Sequence, residues 1–132
     1  MTASEGCACG RGPVLIFSCS GAADVGAVAD QAARRLSGSG QVKMSCLAGI
    51  GGRVSSFMKS VEAASKILVI DGCDLNCAGH SLEEAGFRQF AHLSLGSIGM
   101  QKGATPPTEE NTARAAAEAA RRLDARPGCC GR

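Results

Sequence analysis

No stretch of the chain approaches the roughly 20 consecutive apolar residues that a membrane-spanning helix requires, so no membrane association is expected. No excess of one charge is present either. Fourteen basic residues stand against twelve acidic ones, a formal net charge of +2, and this excludes a strongly basic nucleic-acid module. The glycines, 18 in number, follow no Gly-X-Y period, which excludes collagen. Tryptophan and tyrosine are absent and histidine occurs twice. The N-terminal residues Met1 to Cys7 lack a basic region followed by an apolar segment, the mark of a secretory signal. The expected compartment is therefore the cytoplasm, where thiols stay reduced.

Against these absences, eight cysteines in 132 residues stand out. In a reducing compartment they read as metal-binding or redox-active thiols rather than a disulfide framework. The length suits one domain, and 45% hydrophobic residues with 20% charged suffice for one core. Residues 13–124 are expected to form this domain. Residues 1–12, with Cys7 and Cys9, and 125–132, with Cys129 and Cys130, are expected to be flexible tails whose thiols serve metal capture or are incidental.

Apolar periodicity predicts alternating strands and helices. Pro13 to Cys19 is a continuous apolar run ending at Ser20-Gly21, as a buried strand does. Ala22 to Leu36 has helical spacing and is stopped by Gly38-Ser39-Gly40. Gln41 to Leu47 reads as a second strand, Arg53 to Ser65 as a helix, and Lys66 to Gly72 as the clearest buried strand. A short helix over Asn76 to Ala85, a strand over Phe87 to Leu95 and a last helix over Thr108 to Leu123 complete the pattern. The predicted fold is α/β, a small sandwich with a mainly parallel four-stranded sheet flanked by helices.

Ligands of such sheets gather beyond the carboxyl ends of the strands. Cys19, Cys46 and Cys73 fall at three strand ends, and Cys77 in the first turn of the next helix. Cysteine is also a common small core residue, but four at equivalent ends, each near glycine or serine, point to one thiol site. Four thiolates can close a tetrahedral zinc site, and soft ligands equally suit an iron–sulfur cluster, copper(I) or arsenite-like ions. The rival reading is a thiol–disulfide oxidoreductase using Cys73 and Cys77.

Sharper enzyme motifs do not match. A C-x5-R phosphatase loop fails at both candidates, since Val25 stands six residues after Cys19 and Arg53 comes one residue late after Cys46. C-x3-C-x2-C fails at His80, and Cys73 to Cys77 is one residue longer than C-x-x-C. Gly49-Ile50-Gly51-Gly52 is either an anion-binding turn or structural glycine, and it lacks a complete phosphate-loop pattern. His80 shares a helix face with Cys77 and is a ligand, a base or a solvent-facing residue. His92 reads as an ordinary strand residue. Asp71 is an acceptor behind the thiols, a metal ligand or a turn carboxylate.

The segments Cys19-Ser20-Gly21, Met44 to Gly52 and Ile70-Asp71-Gly72-Cys73-Asp74-Leu75-Asn76-Cys77-Ala78 together resemble the DGC-domain family. These small prokaryotic proteins are named for their Asp-Gly-Cys motif and associated with zinc. The resemblance covers residues 13–103 and implies that Cys19, Cys46, Cys73 and Cys77 bind the metal. It implies no reaction. Asp74 stands where the family often has proline, and the tail cysteines have no counterpart. A metal ion is thus the expected ligand, zinc first; a protein partner or a homodimer stays open.

Overall fold

A computed structural model describes residues 12–19, 21–40 and 42–125. The expected tails, with Cys7, Cys9, Cys129 and Cys130, lie almost entirely outside the described residues. Four strands, β1 (Val14–Ser18), β2 (Lys43–Met44), β3 (Lys66–Asp71) and β4 (Ala91–Ser94), form one all-parallel sheet in the order β2-β1-β3-β4. The helices are α1 (Asp24–Gly38), α2 (Leu47–Gly51), α3 (Ser55–Ala63), α4 (Cys77–Glu84) and α5 (Glu109–Ala125). A 3-10 turn over Leu95–Ile98 follows β4. The α/β fold read from the sequence is the fold observed.

Each apolar strand feeds two cores because successive side chains alternate between faces. Ile16, Leu68 and Ile70 face a layer built by α1 and α5, including Val28, Ala32 and Ala115. Leu15, Phe17 and Val69 face the opposite layer, with Ile50, Val61 and Leu82. The buried α1 stripe, Val25, Val28, Ala29, Ala32, Ala33 and Leu36, has the three- and four-residue spacing that a helix needs to present one face.

The second strand is shorter than its composition suggests. Among the described residues Lys43 and Met44 pair with β1, and the Ser45 N–H adds one bond to the Ile16 carbonyl at 3.0 Å. The chain then turns into α2, because the Cys46 sulfur accepts the Gly49 N–H at 3.3 Å and Ile50 is drawn into the core. The Gly49 to Gly52 segment is therefore the body and end of a short helix rather than an open strand-to-helix turn. Gly49 is fixed by packing, since a Cβ there would sit 2.3 Å from the Phe57 ring.

Both outer strands carry a side chain on their backbone. The Met44 N–H donates to Ser37 Oγ at 3.0 Å, and Arg122 Nη1 donates to the His92 carbonyl at 3.0 Å. The strand order also fixes the site. From β1 the chain moves outward to β2, then crosses back to β3 on the other side of β1. This reversal places the topological switch point between the carboxyl ends of β1 and β3.

Candidate thiol and metal centre

Cys19 and Cys73 leave the sheet on either side of that switch point. β1 and β3 are in register from Val14 opposite Lys66 to Ser18 opposite Ile70. The Cys19 N–H extends the pairing to the Ile70 carbonyl at 3.1 Å, and the Cys19 sulfur accepts the Gly72 N–H at 3.3 Å. Glycine is required at 72, because a Cβ would lie 2.6–2.7 Å from the backbone of Val25 and Gly26 at the start of α1. Without that close approach the peptide could not reach the sulfur.

Burial is the main influence on the half-buried Cys19 thiol and pushes its pKa up. The Gly72 N–H opposes this shift, while Asp71, Cys73 and Cys77 add to it through their negative charge. Cys73 is partly buried, and Cys77 is exposed as the first residue of α4.

Cys46 stands apart. Met44 is level with Ile16, so Cys46 comes to the level of Ser18, on the side of β1 away from Cys73. It is exposed and opens onto a groove of about 570 Å³ shared with Met44, Phe57, Arg34 and Lys43. Among the described residues, no three His, Cys, Asp or Glu side chains converge closely enough to hold a metal ion. The donors are soft in kind: thiols follow the ends of β1, β2 and β3 and open α4, and peptide N–H groups reach the sulfurs of Cys19 and Cys46.

Asp71 has a different task from metal binding. It is 1% exposed, and its carboxylate accepts the N–H groups of Ala78 at 2.8 Å and Gly79 at 3.0 Å. The His92 Nε2 lies 2.8 Å from the same carboxylate. With two peptide donors already on Asp71, His92 joins as a third, which puts the ring proton on Nε2. Asp71 thereby holds the first turn of α4, and with it Cys77, against the ends of β3 and β4. His92, read as an ordinary strand residue, is a structural partner of the motif aspartate. His80 points to solvent, with Nδ1 3.5 Å from Glu83 and its side chain 69% exposed.

Asn76 occupies the N-cap position of α4 in the left-handed region, φ 54°, and makes no side-chain capping bond. Asparagine is favoured at N-caps because its oxygen takes the N–H groups of the first turn. Here Asp71 has already taken them. The Asn76 Oδ1 is consequently buried without a hydrogen-bond partner among the described residues. The sequence signals asparagine between two cysteines, but not that its oxygen is left over.

A second polar anchor lies at the start of α1. The Asp24 carboxylate accepts the N–H groups of Val25 (2.8 Å), Gly103 (2.9 Å) and Thr105 (3.0 Å) and so ties down the loop before α5. Those amides, Gly103 first, hold its pKa below the usual carboxylate value. None of the helices among the described residues is long and apolar enough to cross a membrane.

Comparison with known proteins agrees with the motif order. The chain is 34% identical over 88 residues to the anaerobic and virulence modulator AnvM of Pseudomonas aeruginosa, a match covering 67% of each protein. No solved structure matches significantly. The family model of the DGC domain matches residues 15–121, from β1 through most of α5, so the last helix is part of the shared unit. With its motif aspartate, glycine and cysteine at the end of β3, the chain belongs to the DGC-domain family.

Proposed function

We propose that this protein holds a thiophilic metal ion, zinc first, on cysteines at the carboxyl ends of its parallel strands. Cys19, Cys73 and Cys77 form the nucleus and Cys46 is the fourth donor. One observation carries the reading: Cys19, Cys46 and Cys73 follow the carboxyl ends of β1, β2 and β3 and Cys77 opens α4, on the edge of the sheet where α/β proteins take their ligands. Capture has to draw the thiols inward, since they do not yet converge. It also releases protons, because the thiolate is the ligand. The protein is read as cytoplasmic, with the metal ion as its ligand. The name of its relative AnvM, an anaerobic and virulence modulator, supports a regulatory use of the site.

A second reading has its own support. Cys77 is exposed and Cys73 partly exposed, four residues apart on one turn, as a pair that cycles between dithiol and disulfide would be.

Purified, reduced full-length protein titrated with zinc, with metal content and visible absorption measured, separates these uses. About one zinc per colourless chain, lost in Cys19→Ser, Cys73→Ser and Cys77→Ser and weakened in Cys46→Ser, is the expected result. A brown protein with iron and sulfide would establish a cluster instead. No bound metal, with a Cys73–Cys77 bond that forms and breaks with thiol reductant, would overturn the metal reading in favour of exchange.

A further inference from the structure

The groove beside Cys46 belongs to the outer edge of the sheet, and the metal reading gives it no task. Its volume is about 570 Å³, and it passes around the outer strand β2 from α1, which contributes Arg34, to α3, which contributes Phe57 and Ser60. A cavity of that size suits a small molecule.

The lining states what such a molecule must carry. Met44 and Phe57 supply a partly buried apolar surface. The charge is of one sign, since Arg34 and Lys43 line the groove and no carboxylate does. Asp30 takes the Nε of Arg34 at 2.8 Å and damps its field, whereas Lys43 has no ion-pair partner among the described residues. The reactive group is the exposed thiol of Cys46, held on the side of β1 away from Cys73. Cations call for carboxylates, the apolar surface for an aliphatic stem, and the thiol for a group with which it can exchange.

We propose that the groove binds an anionic disulfide of small-peptide size and presents it to Cys46, which is reversibly thiolated. The Cys46 thiolate attacks one sulfur of the ligand. The ligand's S–S bond breaks as the new one forms, and the other half leaves as a thiolate that takes up the proton given up by Cys46. Cys46 is oxidised and the departing half reduced, so the ligand is itself the oxidant. The inference stands apart from the metal reading, because it needs only Cys46 and its groove.

The test uses reduced, metal-free, full-length protein. It is exposed to glutathione disulfide, which is anionic, or to 2-hydroxyethyl disulfide, which is neutral, and the loss of free Cys46 is followed by alkylation and mass spectrometry. Lys43→Ala is expected to slow the reaction of Cys46 with glutathione disulfide roughly threefold, and Lys43→Ala with Arg34→Ala roughly tenfold, the scale of one and two exposed ion pairs. Both side chains are exposed, so the variants should fold. Reaction with 2-hydroxyethyl disulfide should stay unchanged. S-methylglutathione, which carries the charges but cannot exchange, should shield Cys46 and not Cys77 from iodoacetamide, and should lose that effect in the double variant.

An unchanged rate with glutathione disulfide in the double variant would overturn the proposal. Equal slowing with both disulfides would do the same, by showing that the cations act on the thiol and not on a ligand. A bond from Cys46 to Cys7 or Cys9, formed at one rate with either disulfide, would give the groove to the chain's own N-terminal segment and also overturn it. Zinc enters none of these readouts, so the metal reading stands or falls separately.

Discussion

Removing the Asp71 carboxylate would leave two buried peptide N–H groups, and the partly exposed His92 ring, without that acceptor. Asp71→Ala is therefore expected to cost about 2–4 kcal/mol in urea unfolding. His92→Ala, which removes one donor from a carboxylate that keeps two, should cost clearly less. Gly72→Ala forces a methyl into the α1 backbone and should destabilise by about 1–3 kcal/mol or more. The thiols themselves can be ordered. Cys46 and Cys77 are exposed, whereas Cys19 is half-buried with its pKa raised. Alkylation by iodoacetamide near neutral pH, mapped by mass spectrometry, should modify Cys46 and Cys77 well before Cys19. At this scale the sequence is informative about identity and poor about commitment. Four strand-end cysteines and the motif aspartate are visible in the letters. That Asp71 serves α4 and leaves Asn76 unpaired depends on which of two side chains reaches the same amides, and this is a tertiary matter.

Element boundaries show a similar division. β1, β3 and α1 lie where apolar runs and helical spacing place them, because burial on both sheet faces or on one helix stripe fixes those patterns. The second strand is the instructive exception. Val42 to Leu47 contains enough apolar residues for a strand, yet Leu47 and Ile50 serve the core as helix residues once Cys46 caps the turn. A short apolar stretch fits either period. At α5 the Thr108 Oγ1 accepts the Asn111 N–H at 3.1 Å, so Thr108→Ala should cost about 1 kcal/mol. The Asp24 anchor adds a dependence on pH. Its folded pKa lies below the ordinary 3.8, so its contribution is complete above that value and is lost as pH falls through the lower, folded one. Amide exchange at Gly103 and Thr105 should accelerate in acid, after allowance for intrinsic rates, and Asp24→Asn should show the fast exchange already at neutral pH.

For the molecule as a whole, the switch point joins binding to stability. The thiols belong to separate segments, after β1, before α2 and around the β3–α4 turn, so the unfolded chain cannot present them together. An ion bound only by the folded state should raise unfolding free energy by about 2.7 kcal/mol at a free concentration one hundred times Kd, and a chelator should reverse the gain. Thermal melts with and without zinc measure this directly. The parallel topology follows from alternating patterns, but the β2-β1-β3-β4 order does not, because pairing is decided by how helices pack across both faces. The side chains seated on the outer strands have a consequence for colloidal behaviour. A neighbouring chain that sought to extend the sheet would first have to evict Ser37 from Met44 or Arg122 from His92. Each link acts as a stopper against runaway strand addition. Loosening them, through Ser37→Ala or Arg122→Ala, should be felt first as a tendency of the concentrated protein to form fibrils.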